Sequence, residues 1–348
     1  MIGGLIMPDK IRTQFIKYGD VVEKDSPFYK QLAHLIANND ELLLQLKPYW
    51  QTTHFFSLYF ASVLKALYIH DHKLREYYLN FNDKPKKLTE EKFDVFIDFQ
   101  NTYFDEIIMD VQSQFLKKNI VERASVFIPI FNEVIQSHVE DDFNFIELGA
   151  LAGLLLNYDW YGYTFNKSVE LGQVKDLNIK VKLNDYHDEI KEMMHPTFKV
   201  GITNKKYDLL EDEDYFWLIS LFYPEEIKRR KHFIKAREIF LKHPVNILEG
   251  NELELLEMVL SQLDNDKPTI IYHIHTTKSW SDDKKIALMD IIQNYANQRE
   301  IYHIHHQIFG TDIICDTFEN GQLVRKKYAN FNLNEMTIEW MKDKPVVL

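Results

Sequence analysis

Residues 141–163 read DDFNFIELGALAGLLLNYDWYGY, and the fold turns on this stretch. The apolar run 143–148 carries one acid near its end, Glu147, as a buried strand with a carboxylate at its carboxyl end would. Gly149, Ala150, Ala152 and Gly153 follow as a run of small residues, and leucines at 154–156 open an apolar helix expected over 153–160. Strand, glycine turn and helix is the unit with which an open α/β sheet builds a ligand crevice. Glycine permits the sharp turn and lets the backbone approach a ligand closely. The first amides of the helix offer donors, and Glu147 offers an acceptor. The plain alternative is a tight strand–helix corner with nothing bound.

Composition sets the outer limits. A chain of 348 residues holds one large or two ordinary domains, and 45% hydrophobic with 14% aromatic residues supplies a real core. The formal charge of −12 argues against broad contact with nucleic acid or anionic membrane, while small cationic ligands stay compatible with it. Cys315 is the only cysteine, which excludes an intrachain disulfide and a Cys-rich zinc site. The apolar opening 1–7 reaches Pro8 and Asp9 too soon for a signal peptide, and no uncharged run approaches the length of a membrane span. The expectation is a cytoplasmic protein acting on a small molecule, without nucleic-acid or membrane partners. The oligomeric state is not legible.

The first third reads helical. Ser26-Pro27 makes an N-cap and N1 pair, with Phe28, Leu32, Leu35 and Ile36 on one face. Residues 55–68 are apolar nearly all round, as in a helix inside a bundle. A linker at 82–87 precedes two long helices expected over 89–116 and 121–138, the second kinked at Pro129. After Glu140 the pattern alternates. Strands are expected at 143–148, 179–183, 198–203, 245–248, 269–275 and 301–308, with helices at 153–160, 214–221, 224–242, 251–263 and 281–298. Such alternation predicts a mostly parallel sheet covered on both faces. Glu319-Asn320-Gly321-Gln322 signals a type I′ hairpin closing it. The expected fold class is therefore α/β: a helical part over 1–140 and an α/β domain over 141–348 that ends in an antiparallel hairpin. Because the two long helices run almost directly into 143–148, they are expected to pack as a lid near the crevice.

Glu147-x-Gly149-x-x-x-Gly153 resembles the first motif of S-adenosylmethionine-dependent methyltransferases, Asp/Glu-x-Gly-x-Gly-x-Gly, with Leu151 in place of the middle glycine. From about Phe15 to Trp340 the chain is also similar to a bacterial family known as domain-of-unknown-function family 2332. That family pairs a helical part with a methyltransferase-like Rossmann domain. The similarity runs through Ser26-Pro27-Phe28-Tyr29, Asn119-x-x-x-Arg123, Glu147 to Leu154, Asp159-x-Tyr161-x-Tyr163, Tyr223-Pro224-Glu225 and Tyr272-His273. Thr203 and Asn251 stand where the family carries aspartates. The resemblance implies S-adenosylmethionine as cofactor, bordered by Glu147, Gly149, Gly153, Thr203 and Asn251. It implies an acceptor pocket drawing on Asn119, Arg123, Asp159 and Tyr161, and methyl transfer to a small acceptor. Leu151, Thr203 and Asn251 equally motivate a second expectation, a non-catalytic binding or scaffold protein on a degenerate methyltransferase fold.

Histidines suggest a third. His273 and His275 alternate along one strand and His303 and His305 along another, so neighbouring strands would bring imidazoles together for metal-dependent hydrolysis. Thr276-Thr277-Lys278 lacks the acidic continuation of His-rich hydrolase motifs, so hydrogen-bonded histidines and no metal are expected. His273, at a strand's carboxyl end, is the chosen substrate-facing base, with a strand-end hydrogen bond as its plain alternative. The basic segment Lys228, Arg229, Arg230, Lys231, Lys235 and Arg237 reads as a solvated helix face. Tyr158, Trp160, Tyr161 and Tyr163 read either as crevice wall or as core packing.

Overall fold

The structure is a computed structural model that describes residues 9–50, 54–135, 142–172, 177–190, 192–306, 312–319 and 321–341. It divides into two compact units, Met1–Lys118 with Leu210–Lys231, and Asn119–Leu209 with His232–Leu348. The sequence reading placed one boundary at 140/141. Residues from Asn119 instead belong to the second unit, because Phe127 and Phe131 pack their rings on the sheet residue Phe145.

Segment 210–231 belongs to the first unit because Glu225 completes a helix start there. Ser26 caps the helix Pro27–Ala37 by accepting from the Tyr29 amide at 3.1 Å. The Ser26 hydroxyl donates to Glu225 Oε2 at 2.6 Å, and the Phe28 amide donates to Glu225 Oε1 at 2.9 Å. A carboxylate there satisfies orphan amides and faces the positive end of the helix dipole. Two motifs remote in sequence thus form one cap. Helix Phe55–Ile69 is buried nearly all round, as its composition requires. Its Lys65 is buried between Asp110 at 3.0 Å and Glu213 at 2.6 Å.

Several expected helices are shorter. The span 89–116 divides into the 3-10 turn Glu90–Lys92 and helices Asp94–Thr102 and Phe104–Ser113. The break is at Tyr103, whose ring stacks on His70 at 4.0 Å. The span 121–138 becomes a 3-10 turn, Val121–Val126, and a helix, Phe127–Ile135; residues 136–138 lie outside the described ones. Pro129 sits in the first turn of that helix, where its missing amide costs nothing, and needs no kink. The basic segment is not a plain solvated face. Arg230 is buried and donates to the carbonyls of Tyr223, Pro224 and Leu79, and Arg229 pairs with Glu226 at 2.7 Å.

Among the described residues the second unit holds an eleven-stranded mixed sheet. Its strands are β1 (Asn144–Leu148), β2 (Gly162–Phe165), β3 (Val169–Leu171), β4 (Asn178–Asn184), β5 (Phe198–Thr203), β6 (Asn246–Glu249), β7 (Thr269–Ile274), β8 (Ile301–His306), β9 (Ile313–Glu319), β10 (Gln322–Asn332) and β11 (Thr337–Trp340). They lie in the order β3-β2-β4-β11-β10-β9-β8-β7-β1-β5-β6. From β6 to β8 every pairing is parallel, with β1 central, so the chain winds outward from β1 in both directions. The switch point lies between β1 and β7. Beyond β8 the sheet turns antiparallel through β9, β10 and β11. Glu319 pairs with Gln322, so the expected hairpin is present. β4 does not join the parallel core; with β2 and β3 it extends the sheet past β11.

Register sorts the side chains onto two faces. Ile146, Leu148, Val200, Ile202, Ile271 and Ile301 share one face and pack under helices Glu252–Gln262 and Asp282–Ala296 through Leu256, Leu260, Leu288 and Ile292. Phe145, Glu147 and Tyr272 share the other, against an edge-on cluster in which Phe127 meets Tyr272 at 4.4 Å and Phe145 at 5.4 Å. Among the described residues no helix is long and apolar enough to cross a membrane. Glu225→Ala should lower stability by about 1–2 kcal/mol through loss of the shared cap. A lower urea midpoint for the first unit's unfolding, followed by helical circular dichroism, is the expected readout, and an unchanged midpoint would contradict the role given to Glu225.

Candidate functional site at the carboxyl edge of the central strand

The glycine turn leaves β1 with three alternate residues in the left-handed region: Gly149 at φ +76°, Leu151 at +56° and Gly153 at +71°. Glycine adopts this region freely, whereas a leucine there costs roughly 1–2 kcal/mol. The close approaches that exclude a side chain are made by the chain itself. A Cβ on Gly149 would lie 2.2 Å from Thr276 Oγ1, whose hydroxyl donates to the Leu148 carbonyl at 3.0 Å. A Cβ on Gly153 would meet Ile247 Cδ1 at 2.8 Å. The Gly149 amide is spent on the Ile202 carbonyl at 2.7 Å. The expected α-helix after the turn is replaced by 3-10 turns over Leu154–Trp160, irregular at Asn157. Side chains tighten this segment: Tyr161 donates to the Leu154 carbonyl, Tyr163 to that of Tyr158 at 2.8 Å, and Asn157 to that of His243 at 2.9 Å.

Glu147 is the electrostatic anomaly of the turn. All five residues of β1 are buried, and Glu147 lies in register with Gly201 of β5 and Tyr272 of β7. Among the described residues its Oε2 has no hydrogen-bond partner, and neither has the buried Tyr272 hydroxyl. Burial pushes the Glu147 carboxyl up to about 8, with the nearby Arg123 guanidinium pulling more weakly the other way. At neutral pH the group is therefore mainly a neutral acid, able to donate one hydrogen bond and ready to ionise beside a cation.

The sequence-chosen cofactor residues lie along one edge. Thr203 ends β5 and is buried, its hydroxyl donating to the Lys205 carbonyl at 3.0 Å. The Gly250 amide reaches the Thr203 carbonyl at 3.0 Å, and exposed Asn251 caps helix Glu252–Gln262 by accepting from Leu253 at 3.1 Å. Asn119 is buried and donates to the Ala150 carbonyl at 3.3 Å. Asn119, Arg123, Glu147, Gly149 and Gly153 thus gather at the turn. Asp159 and Tyr161 serve other ends. Asp159 is held by Lys199 at 2.7 Å and His195 at 3.2 Å, and Tyr161 is enclosed in the 3-10 segment. Of their aromatic neighbours, Tyr158 and Tyr163 are core packing, while half-buried Trp160 stacks on His243 at 3.6 Å. Tyr272 and Thr276 complete the turn's surroundings, and sequence reasoning gave neither a role.

His273 faces away from Glu147. β7 and β8 are neighbours, with His273 paired to His305 and Ile271 to His303, so His273, His303 and His305 share the helix-covered face. His273 Nε2 stands 3.0 Å from His303 Nε2, and all three imidazoles are buried. Burial pushes His273 well below the ordinary histidine range and His305 down to about 4. His273 is thus a neutral, enclosed imidazole and not the substrate-facing base expected of it. His275 leaves the group: at φ +60° it turns beyond the strand and packs edge-on against His306 at 4.8 Å. Asp316, paired with His303 across β8–β9, joins the three histidines, and Arg325 of β10 grips both its oxygens at 2.7 Å. The sequence signal for this pair was the hairpin itself, since a turn pairing Glu319 with Gln322 sets Asp316 opposite Arg325.

Fold and site define a mixed α/β protein with a doubly wound parallel core and a buried acid at its switch point. Over residues 12–340 the chain matches the family described as uncharacterized protein conserved in bacteria, domain of unknown function 2332, and it belongs to that family. No curated protein and no solved structure matches it.

The raised Glu147 pKa has a definite stability signature. From roughly pH 4.5 to 8 the unfolded chain gives up the Glu147 proton while the folded chain keeps it, so stability falls as pH rises. Glu147→Gln removes this term. The variant should match the wild type near pH 4.5 and exceed it by about 3–5 kcal/mol near pH 8.5. Denaturant titrations of both proteins across that range check this; a stability difference independent of pH would contradict it.

Proposed function

We propose that the sheet unit is a methyltransferase-class domain that binds S-adenosylmethionine and passes its methyl group to a small acceptor. One observation carries the reading. Three alternate left-handed residues directly follow the central strand, the conformation that glycine favours, and Leu151 adopts it where the resembled motif has glycine. A leucine held in that conformation is the kind of stored strain that clusters at ligand sites. The strand order supports the same reading, because ligands of open α/β sheets bind outside the carboxyl ends of strands at the switch point. Glu147 would face the ammonium of the methionine moiety through its unpartnered Oε2, and Thr203 and Asn251 would lie on the ribose side. Asn119 and Arg123 would border the acceptor. S-adenosylmethionine supplies an activated methyl, so the chain's own task is to orient the acceptor in line and exclude water.

A second reading, a non-catalytic binding or scaffold protein on the same fold, has its own support. Thr276 fills the space against Gly149, and Thr203 turns its hydroxyl onto the backbone rather than outward. Titration calorimetry with S-adenosylmethionine and S-adenosylhomocysteine separates the two. The first reading requires binding that releases on the order of one proton near pH 7, as Glu147 ionises beside the ligand ammonium, and that release disappears in Glu147→Gln. No heat at millimolar ligand with folded protein would defeat it and leave the second.

A further inference from the structure

The histidine group on the helix-covered face of the sheet is independent of the glycine turn. We propose that His273, His303, His305 and Asp316 form a closed site for one divalent transition-metal ion, of the zinc or cobalt class. His273 lies on β7, His303 and His305 on β8, and Asp316 on β9. Ligand atoms of His303, His305 and Asp316 all lie within 4.8 Å of one another. His273 Nε2 adds a fourth, 3.0 Å from His303 Nε2. Two nitrogens bound tetrahedrally to one ion at about 2.1 Å are themselves about 3.4 Å apart, so the two rings need to part by only a few tenths of an ångström to share an ion.

A purely hydrogen-bonded cluster accounts for less. One proton shared between the His273 and His303 Nε2 atoms leaves a buried Nδ1 on each ring. Among the described residues the His273 Nδ1 has no partner, and the His303 Nδ1 stands 3.7 Å from Asp316 Oδ2, too far for a hydrogen bond. Each buried ring atom left unmatched costs about 1–3 kcal/mol. With both Nε2 atoms given to a metal, the rings of His273 and His303 no longer share a single proton between two lone pairs. Arg325 holds the Asp316 carboxylate through both oxygens, and His305 Nε2 reaches Oδ2 at 3.1 Å. Imidazole nitrogen with one carboxylate is a borderline donor set that favours zinc, cobalt and nickel over magnesium or calcium. The ligands sit where the sheet passes from parallel to antiparallel pairing. With every ligand buried, the ion ties β7, β8 and β9 together rather than offering an open position to substrate.

The test uses the full chain without an oligohistidine tag, stripped with chelator and titrated with cobalt(II) and then with zinc(II). The proposal requires visible d–d bands of nitrogen-rich cobalt, saturation at one ion per chain, displacement by zinc and a higher Tm with metal. His303→Gln should weaken binding about 100-fold or more, and Asp316→Asn about 10- to 100-fold. His306→Gln, on the opposite face, should stay within about threefold of wild type. Should His303→Gln fail to fold, Asp316→Asn and the wild-type spectra still decide the matter. Folded wild-type protein that shows no cobalt bands at millimolar metal would overturn the site, as would affinity equal in wild type, His303→Gln and Asp316→Asn.

Discussion

One constraint orders the second unit: a carboxyl group lies in the middle strand of the sheet, where no position is open to water. β1 is flanked by parallel partners on both sides and covered on both faces, so Glu147 must be neutral, paired or matched by a ligand. The surroundings supply only part of a match. Phe127, Phe145 and Tyr272 give an aromatic wall, and Arg123 gives a weak opposing field. The group is held as a neutral acid at a switch point, where its ionisation can be coupled to whatever binds.

The turn above Glu147 holds a left-handed backbone at a residue that is not glycine. Leu151 breaks the glycine pattern, yet its backbone stays in the left-handed region between two glycines that do the same. Neighbouring strand ends have closed in around it: Thr276 from the segment after β7 and Ile247 from β6 occupy the space that glycine leaves. The proposed cofactor loop and the proposed binding scaffold differ in whether that filled space can open. The balance between those two rests on whether Thr276 yields to a ligand.

Much of this was legible in the sequence. The strand at 198–203 was placed to the residue, the strands near 245–248 and 269–275 to within a residue at either end, and the hairpin signal correctly set Glu319 and Gln322 on paired antiparallel strands. The alternation at His273, His303 and His305 revealed a shared face once β7 and β8 proved adjacent. Other features were hidden for physical reasons. β2, β3 and β11 are short, and β11 pairs with β4, a strand far away in sequence. The break at Tyr103 coincides with a ring stacked on His70, a tertiary contact that periodicity does not register. Tyr161 read as a pocket residue because its hydroxyl partner, the Leu154 carbonyl, exists only in the 3-10 conformation.

Burial makes Glu147 a neutral acid, and the proposed ligand at the turn would set its charge. The carbon-13 resonance of its side-chain carboxyl, assigned by comparison with Glu147→Gln, reads this directly. Titration near pH 8 is expected in the free protein, and an ionised carboxylate at pH 7 with saturating S-adenosylhomocysteine, the proposed ligand. A carboxyl already ionised at pH 6, or one whose titration is unmoved by the ligand, would contradict it.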